Sequence, residues 1–199
     1  MAKTLIIATK NQGKAKELAS IFSEDGIEVK TLLDYPEIPD IVEDGETFQE
    51  NALKKASVIA KEFQLPVLAD DSGLIVDALG GEPGVYSARY AGEGKDDQAN
   101  LEKVLLELKG VPIDKRTARF HCTLALAFPT GESHFFEGDC EGIITEEPKG
   151  NGGFGYDPIF FVPEKGVTMA ELEPVEKNKI SHRAKAIEVL KKNQHLLKG

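Results

Sequence analysis

The stretch from residue 67 to residue 90, VLADDSGLIVDALGGEPGVYSARY, decides the fold. It begins with an apolar run at 67–69 that predicts the end of a buried strand. Asp70 and Asp71 follow directly, and because successive strand side chains point to opposite faces, at most one of the two faces a crevice. A carboxylate at a strand end can hold Mg²⁺ or accept a proton from water. The alternative is that Asp-Ser-Gly forms a turn or a helix cap.

The composition is that of an ordinary soluble globular chain. It has 199 residues, 41% hydrophobic and 29% charged, which suits one domain or two tightly joined lobes. The net charge of −10 argues against a duplex nucleic-acid binder, because such proteins need a positive surface against phosphates. A small anionic ligand is compatible with this charge, since a local basic pocket can override the overall sign.

The targeting and redox features predict a cytoplasmic protein. The N-terminal residues lead directly into a strand pattern without a signal peptide, and no apolar run approaches membrane-spanning length. Cys122 and Cys140 stand in apolar or strand-like segments without CxxC spacing, so we expect buried free thiols. We expect no membrane partner and no nucleic-acid partner.

The N-terminal segment predicts a strand, a short loop and a helix. Residues 4–8 are an apolar strand pattern, residues 9–14 read TKNQGK, and apolar positions at helical spacing continue to Phe22. Free backbone N–H groups at such a helix start can receive a phosphate, and Lys10 and Lys14 add two cations. The GxxxxGK[ST] spacing of the P-loop is absent, and a plain strand–helix turn is the alternative.

A second helix is predicted from its capping signal. Thr47 and Glu50 form a capping box, and the helix should run to about Gln64, since Pro66 follows. Three acids lie just before this helix: Glu43, Asp44 and Glu46. They either interact favourably with the helix N-terminus or supply a metal ligand from a loop.

The C-terminal half changes character. Residues 118–128 and 133–145 predict a β-hairpin, so we expect a more antiparallel β lobe at about 112–147. The α/β lobe then comprises 1–111 and 148–199, and the whole chain, 1–199, forms a single domain.

The last two unusual segments are a glycine-rich loop and a cationic helix start. Glycines surround Phe154 in KGNGGFGYDP at 149–158, which lets the ring stack on a flat ligand; a flexible turn is the alternative. Ser181 is a natural cap for a final helix running to about Leu197. His182 and Arg183 oppose the helix dipole there, which favours their facing a ligand.

These separate signals fit a nucleoside triphosphate with Mg²⁺, and equally a sugar phosphate or a polyphosphate. The motifs go further, because together they resemble the inosine triphosphate pyrophosphatase family from about Leu5 to Leu190. The segments that carry the resemblance are TKNQGK at 9–14, TFQENALKKA at 47–56, ADDSGLIVDALGGEPGVYSARYAG at 69–92, GGFGYDPIF at 152–160 and SHRAKA at 181–186.

The resemblance implies the fold, the reaction and the partners. The expected fold is α/β, an elongated mixed β-sheet with flanking helices and two lobes around a central cleft. The expected enzyme is a homodimer that hydrolyses the purine nucleotides ITP, dITP and XTP to the monophosphate and pyrophosphate. It would use Mg²⁺, one ion per subunit.

The resemblance also assigns roles to individual residues. Asp71 is the expected catalytic base, and the expected metal ligands are Glu43 and Asp71, with Asp70 as a further candidate. The residues expected to bind substrate are Thr9, Lys10, Asn11, Gln12, Gly13, Lys14, Ser72, Phe154, Gly155, Tyr156, Asp157, Lys177, His182 and Arg183.

Base selection has a physical rationale. Hypoxanthine and xanthine present a carbonyl at position 6 and an N–H at position 1, and adenine reverses both. Donors from His182 or Arg183 and an acceptor from Asp157 would leave adenine with unpaired groups, a mismatch worth factors of about 10⁴. Two other hypotheses are a nucleotide-binding regulator without turnover and a pyrophosphatase for modified pyrimidines.

Overall fold

The computed structural model describes residues 3–193 and 195–196, arranged as two compact units. Unit 1 comprises residues 1–71, 122–138 and 183–199, and unit 2 comprises residues 72–121 and 139–182. Residues 1, 2, 194 and 197–199 lie outside the described part, and so does the predicted helix end at Leu197.

In the described part of the chain, seven strands form one mixed sheet in the order β2-β1-β3-β4-β5-β6-β7. β1 and β2 pair in parallel, as do β1 and β3, whereas β5–β6 and β6–β7 are antiparallel. The strands are β1 (Lys3–Ile7), β2 (Ile27–Thr31), β3 (Val67–Val76), β4 (Thr117–Ala127), β5 (Ser133–Ile144), β6 (Phe160–Val162) and β7 (Val167–Thr168). The mixed α/β fold predicted from the sequence is confirmed.

Five α-helices accompany the sheet in the described residues: α1 (Gln12–Ser23), α2 (Phe48–Phe63), α3 (Asp97–Glu107), α4 (Pro174–Ile180) and α5 (His182–Lys192). Short 3₁₀ turns occur at Leu32–Asp34, Asp77–Leu79, Gly84–Arg89, Ile113–Lys115, Asp157–Ile159 and Met169–Glu171. The predicted capping box of α2 is confirmed, since Thr47 and Glu50 satisfy each other's backbone N–H groups. α3 is capped by Asp96, whose side chain accepts from the Ala99 N–H.

β3 differs from the strand predicted there. Instead of ending at Ala69, it continues through Asp70, Asp71 and Gly73 to Val76, so Asp-Ser-Gly is neither a turn nor a helix cap. Isolated Asp and Gly favour turns, but here both acids are buried in strand positions, and Lys14 and Arg183 compensate the charge of Asp70. The strand places Asp70 and Asp71 on opposite faces, as predicted from the period of two.

Each unit has its own apolar core. Unit 1 has two apolar clusters. One contains Phe22 and Leu124 and joins side chains of α1, α5, β1, β3 and β4. The other contains Ile59 and other side chains of α2. In unit 2, Leu101 of α3 belongs to a cluster that also contains Phe160 and Leu74. β3, β4 and β5 each contribute residues to both units, and the division into lobes at 112–147 and at 1–111 with 148–199 stays a prediction.

In the described residues, no helix is both long and apolar enough to cross a bilayer. Cys122 and Cys140 are buried thiols that are not joined in a disulfide, as predicted.

Candidate active site

In unit 1, oppositely charged side chains meet inside the fold. Lys14 Nζ lies 2.5 Å from Asp70 Oδ1, and Arg183 Nε donates to Asp70 Oδ2 at 3.2 Å. The Arg183 guanidinium also lies 3.1 Å from Glu17 Oε1. The Cys122 thiol donates to Asp70 Oδ2 at 3.0 Å. Asp70 is therefore a buried carboxylate held by two cations and a thiol.

The local charges set the ionisation of this group. Burial alone would raise the pKa of Asp70, but Arg183 and Lys14 outweigh it and hold that pKa well below its usual range. Burial acts to lower the pKa of Lys14, yet Asp70 raises it overall. Burial and the charge of Asp70 raise the pKa of the Cys122 thiol well above its usual value. Asp70 is therefore charged and Cys122 neutral at neutral pH.

Asp71 has the opposite electrostatic environment. Burial raises its pKa to about 6, against the opposing charges of Lys55 and Lys14, and the negative charges of Glu43 and Asp70 add to the rise. Within the described part of the chain, its Oδ2 is buried and has no hydrogen-bond partner. Such an oxygen is suited to accept a proton or a ligand, because a native structure rarely leaves it unused.

Lys55 links the loop before α2 to β3. Its ammonium forms an ion pair with Glu43 and donates to the backbone carbonyl of Asp70 at 2.6 Å. The interpretation of the sequence missed this lysine. The available signal was its position on the apolar stripe of α2, between Ala52 and Ile59, where a buried charge needs a partner.

The loop before α1 holds the remaining predicted residues of unit 1. Thr9 is buried, and its hydroxyl accepts from the Asn11 N–H at 3.2 Å. Asn11 caps α1 by accepting from the Lys14 N–H at 2.9 Å. Gln12 begins α1 and Gly13 follows it. Lys10 contacts a different part of the chain, since its ammonium lies 3.1 Å from Asp40 and donates to the Ile38 carbonyl.

Unit 2 holds a second group around Phe154. The Phe154 N–H donates to Asp157 Oδ2 at 3.1 Å, and the same oxygen lies 2.7 Å from Lys177 Nζ. The Lys177 ammonium also lies 4.8 Å from the centroid of the Phe154 ring. The Gly155 N–H donates to Asp97 Oδ2 at 3.1 Å. Two carboxylates thus fix consecutive backbone N–H groups of the glycine-rich loop.

Three further predicted residues belong to unit 2: Ser72, Tyr156 and His182. Tyr156 is buried and donates its hydroxyl proton to the Ser87 carbonyl at 2.6 Å, and burial raises its pKa. His182 stacks on Phe120, with ring centroids 4.9 Å apart. Ser72 follows Asp71 in β3 and is the first residue of unit 2.

A family model described as the Ham1 family matches residues 5–193. The chain belongs to the Ham1 family. It is 63% identical over 190 residues to a protein of Halalkalibacterium halodurans named dITP/XTP pyrophosphatase, covering 96% of this chain and 98% of that protein. It is 59% identical over 185 residues to a protein of the same name from Geobacillus kaustophilus, covering 93% and 91%.

A solved structure agrees with this membership. The HAM1 protein of Coxiella burnetii is 42% identical, with a TM-score of 0.85 over 99% of this chain and 100% of that one. The family recognised from the motifs is therefore confirmed. The roles of the individual Ham1 site residues remain predictions.

The residues of this Ham1 chain fit a divalent cation that the substrate helps to bind. Within the described part of the chain, no three His, Cys, Asp or Glu side chains converge on a metal position. Mg²⁺ is commonly held by one or two carboxylates together with substrate phosphates. Asp71 offers a buried oxygen, and Glu43 interacts electrostatically with it. Asp70 fits less well, because two cations already hold it.

A glycine-to-alanine pair tests the loop around Phe154. Gly153 and Gly155 both have positive φ, +68° and +62°, so alanine is strained at either position. A Cβ on Gly153 would lie 2.0 Å from Asp157 Oδ2, whereas a Cβ on Gly155 would meet no atom within 4 Å. We expect Gly153→Ala to lower the melting temperature by several degrees more than the control Gly155→Ala. Equal melting temperatures would contradict the fixed Asp157 position.

Proposed function

We propose that this chain is a Mg²⁺-dependent nucleoside triphosphate pyrophosphatase that hydrolyses dITP, XTP and ITP to the monophosphate and pyrophosphate. The observation that carries the proposal is the buried Asp71 carboxylate, whose pKa of about 6 suits a general base at neutral pH. The relatives at 59% and 63% identity, which are named dITP/XTP pyrophosphatases, support the choice of substrates.

In the proposed reaction, water attacks the α-phosphorus while Asp71 Oδ2 takes its proton. A new P–O bond forms to the water oxygen, and the bond from the α-phosphorus to the bridging oxygen breaks. Pyrophosphate leaves with that oxygen. Glu43 and Asp71 would hold Mg²⁺, which when bound supplies charge neutralisation for the phosphates. No side chain needs to form a covalent intermediate.

The cations and the helix start are assigned to the triphosphate. Lys14 lies in the first turn of α1, whose backbone N–H groups add favourable interactions with an anion. Thr9 and Asn11 shape the loop before this turn through their mutual hydrogen bond. Lys55 would hold Glu43 and the Asp70 backbone in place for the metal.

The residues around Phe154 are assigned to the base. A half-buried ring beside a lysine can stack on a purine, and base stacking on an aromatic ring contributes about 1–3 kcal/mol. Asp157 and His182 are proposed to read the N–H at position 1 and the carbonyl at position 6. Adenine would leave hydrogen-bonding groups unpaired at these residues and would therefore be rejected.

We further propose a cytoplasmic homodimer, with Mg²⁺ as its one metal per subunit.

A nucleotide panel with product analysis tests this function. The protein is incubated with dITP, XTP, ITP, dGTP, dATP and dCTP, with Mg²⁺ or with EDTA, and pyrophosphate and orthophosphate are measured separately. We expect stoichiometric pyrophosphate from dITP, XTP and ITP only with Mg²⁺, and at least 100-fold slower hydrolysis of dATP and dCTP. Release of orthophosphate would refute attack at the α-phosphorus. Binding without turnover would instead favour a regulator, and preference for a pyrimidine would refute the base assignment.

A further inference from the structure

Glu17 completes a buried row of alternating charges in unit 1. The row runs from Lys14 to Asp70 at 2.5 Å, from Asp70 to Arg183 at 3.2 Å, and from Arg183 to Glu17 at 3.1 Å. Two cations and two anions give a formal charge of zero. Glu17 and Lys14 are three residues apart on α1, so they lie on neighbouring positions of one helix face.

The row is withdrawn from solvent. Side-chain exposure is 16% for Lys14, 6% for Glu17, 2% for Arg183 and 0% for Asp70. A buried ion pair is weak evidence for stability, because its desolvation cost is comparable to its Coulomb gain. In a medium of low dielectric constant, however, the position of each charge depends strongly on the others. A phosphate-binding site can use this dependence to fix the position of a cation that contacts the phosphates.

We propose that Glu17 is a positioning residue for Lys14, acting through Arg183 and Asp70. Arg183 lies between two carboxylates, so Glu17 competes with Asp70 for the guanidinium and limits its approach to Asp70. Asp70 Oδ2 then accepts from Arg183 and Cys122, while Oδ1 stays directed at the Lys14 ammonium. The inference rests on the proposed function, because it assumes that Lys14 contacts the triphosphate.

The charge balance determines which kinetic constant changes. In Glu17→Gln, Arg183 loses one of its two carboxylate partners and can shift towards Asp70, so that Asp70 holds Lys14 less firmly. The buried row also gains one positive charge, which favours the binding of an anion. We therefore expect kcat for XTP to fall about 10- to 100-fold, since misplacing a contact group by about 1 Å has effects of this size. We expect KM not to rise.

A double-mutant cycle separates positioning from a purely structural role. The four proteins are the native chain, Glu17→Gln, Lys14→Met and the double variant. If Glu17 acts through Lys14, Glu17→Gln changes kcat less than threefold in the Lys14→Met background. The matched control is Glu62→Gln, the same chemical change at an exposed position of α2. It should leave kcat and KM unchanged.

The result that overturns the proposal is additivity: the same fold-loss from Glu17→Gln in both backgrounds. A raised KM with unchanged kcat would also overturn it. If Glu17→Gln does not fold, Glu17→Asp, which keeps the charge on a shorter side chain, replaces it in the same cycle. In either case a melting curve of each variant is recorded.

A binding measurement distinguishes failure of this inference from failure of the proposed function. If the native chain releases no pyrophosphate from any nucleotide, the function fails, and the cycle is repeated on the affinity for inorganic pyrophosphate by calorimetry. A change of at least threefold from Glu17→Gln, present with Lys14 and absent in the Lys14→Met background, supports the coupling. Equal changes in both backgrounds refute it.

Discussion

Replacing Asp71 by asparagine is expected to lower kcat for XTP about 10³-fold while making the folded protein more stable at neutral pH. Asparagine has nearly the same shape but cannot accept the proton from water, and general-base catalysis contributes about 10²–10⁴-fold. The rate is measured as pyrophosphate release at saturating XTP and Mg²⁺. The control is Asp114→Asn, the same change at an exposed position, which should leave the rate unchanged.

The stability gain follows from the sign of the pKa shift. The pKa of Asp71 is about 6 in the folded protein against 3.8 in the unfolded chain, so the folded state binds the proton more tightly. The free energy of unfolding therefore falls as the pH rises from about 4 to 6, and at pH 7.5 the charged carboxylate costs on the order of 3 kcal/mol. An amide carries no charge and avoids most of this cost.

Thermal melting without added metal checks this effect. At pH 7.5 we expect Asp71→Asn to melt about 5–10 °C above the native chain, since most of the cost of about 3 kcal/mol is avoided and 1 kcal/mol corresponds to about 2–4 °C at this chain length. At pH 4.5 the difference should shrink to about a third, because this pH lies below the folded pKa of about 6 and only slightly above the unfolded value of 3.8. A lower melting temperature at pH 7.5 would contradict the unfavourable burial of the charge.

Mg²⁺ titration separates the two roles assigned to Asp71. If the carboxylate is the base, the rate of Asp71→Asn stays low at every Mg²⁺ concentration. If it is only a metal ligand, high Mg²⁺ restores most of the rate. A native-like rate under ordinary conditions would exclude both roles.

The neighbouring acids show what the sequence could and could not reveal. The period of two in a strand predicts that Asp70 and Asp71 point to opposite faces, and they do. Local patterns could not show that Arg183, 113 residues further along the chain, neutralises one of them and leaves the other desolvated. The ionisation of each acid is therefore a tertiary property.

Structural features that a few adjacent residues determine could be predicted from the sequence. The capping box of α2 was predictable because Thr47 and Glu50 satisfy N–H groups within one helical turn. The length of β3 was not, because turn-forming residues inside it are overruled by sheet pairing and burial. Lys55 and Glu17 could be predicted only in part. Each is a charged residue on the buried face of a helix, which indicates that it has a partner of opposite charge but not which residue that partner is.

Replacing Asp70 by asparagine should have the opposite effect on stability from the same change at Asp71. The Asp70 side chain is fully buried and lies against Lys14 and Arg183, so its removal leaves two buried cations without their shared counter-charge. Breaking a buried pair in this way costs about 3–5 kcal/mol. We expect the melting temperature to fall by about 10 °C and urea to unfold the variant at a lower concentration. The control is Asp77→Asn, whose exposed pair with Arg119 should change the stability by less than about 1 kcal/mol.

The pH dependence distinguishes this loss from the Asp71 effect. The pKa of Asp70 is lowered in the folded protein, so its contribution to stability is present above the unfolded pKa and lost only as the pH falls through the lower folded value. The gap between the native chain and Asp70→Asn should therefore stay constant from pH 8 to pH 5 in urea titrations. If this stability difference closes by pH 5, Asp70 takes up a proton there. Asp70 and Asp71 would then not have opposite electrostatic environments, and the assignment of Asp70 to structure and Asp71 to proton transfer would lose its basis.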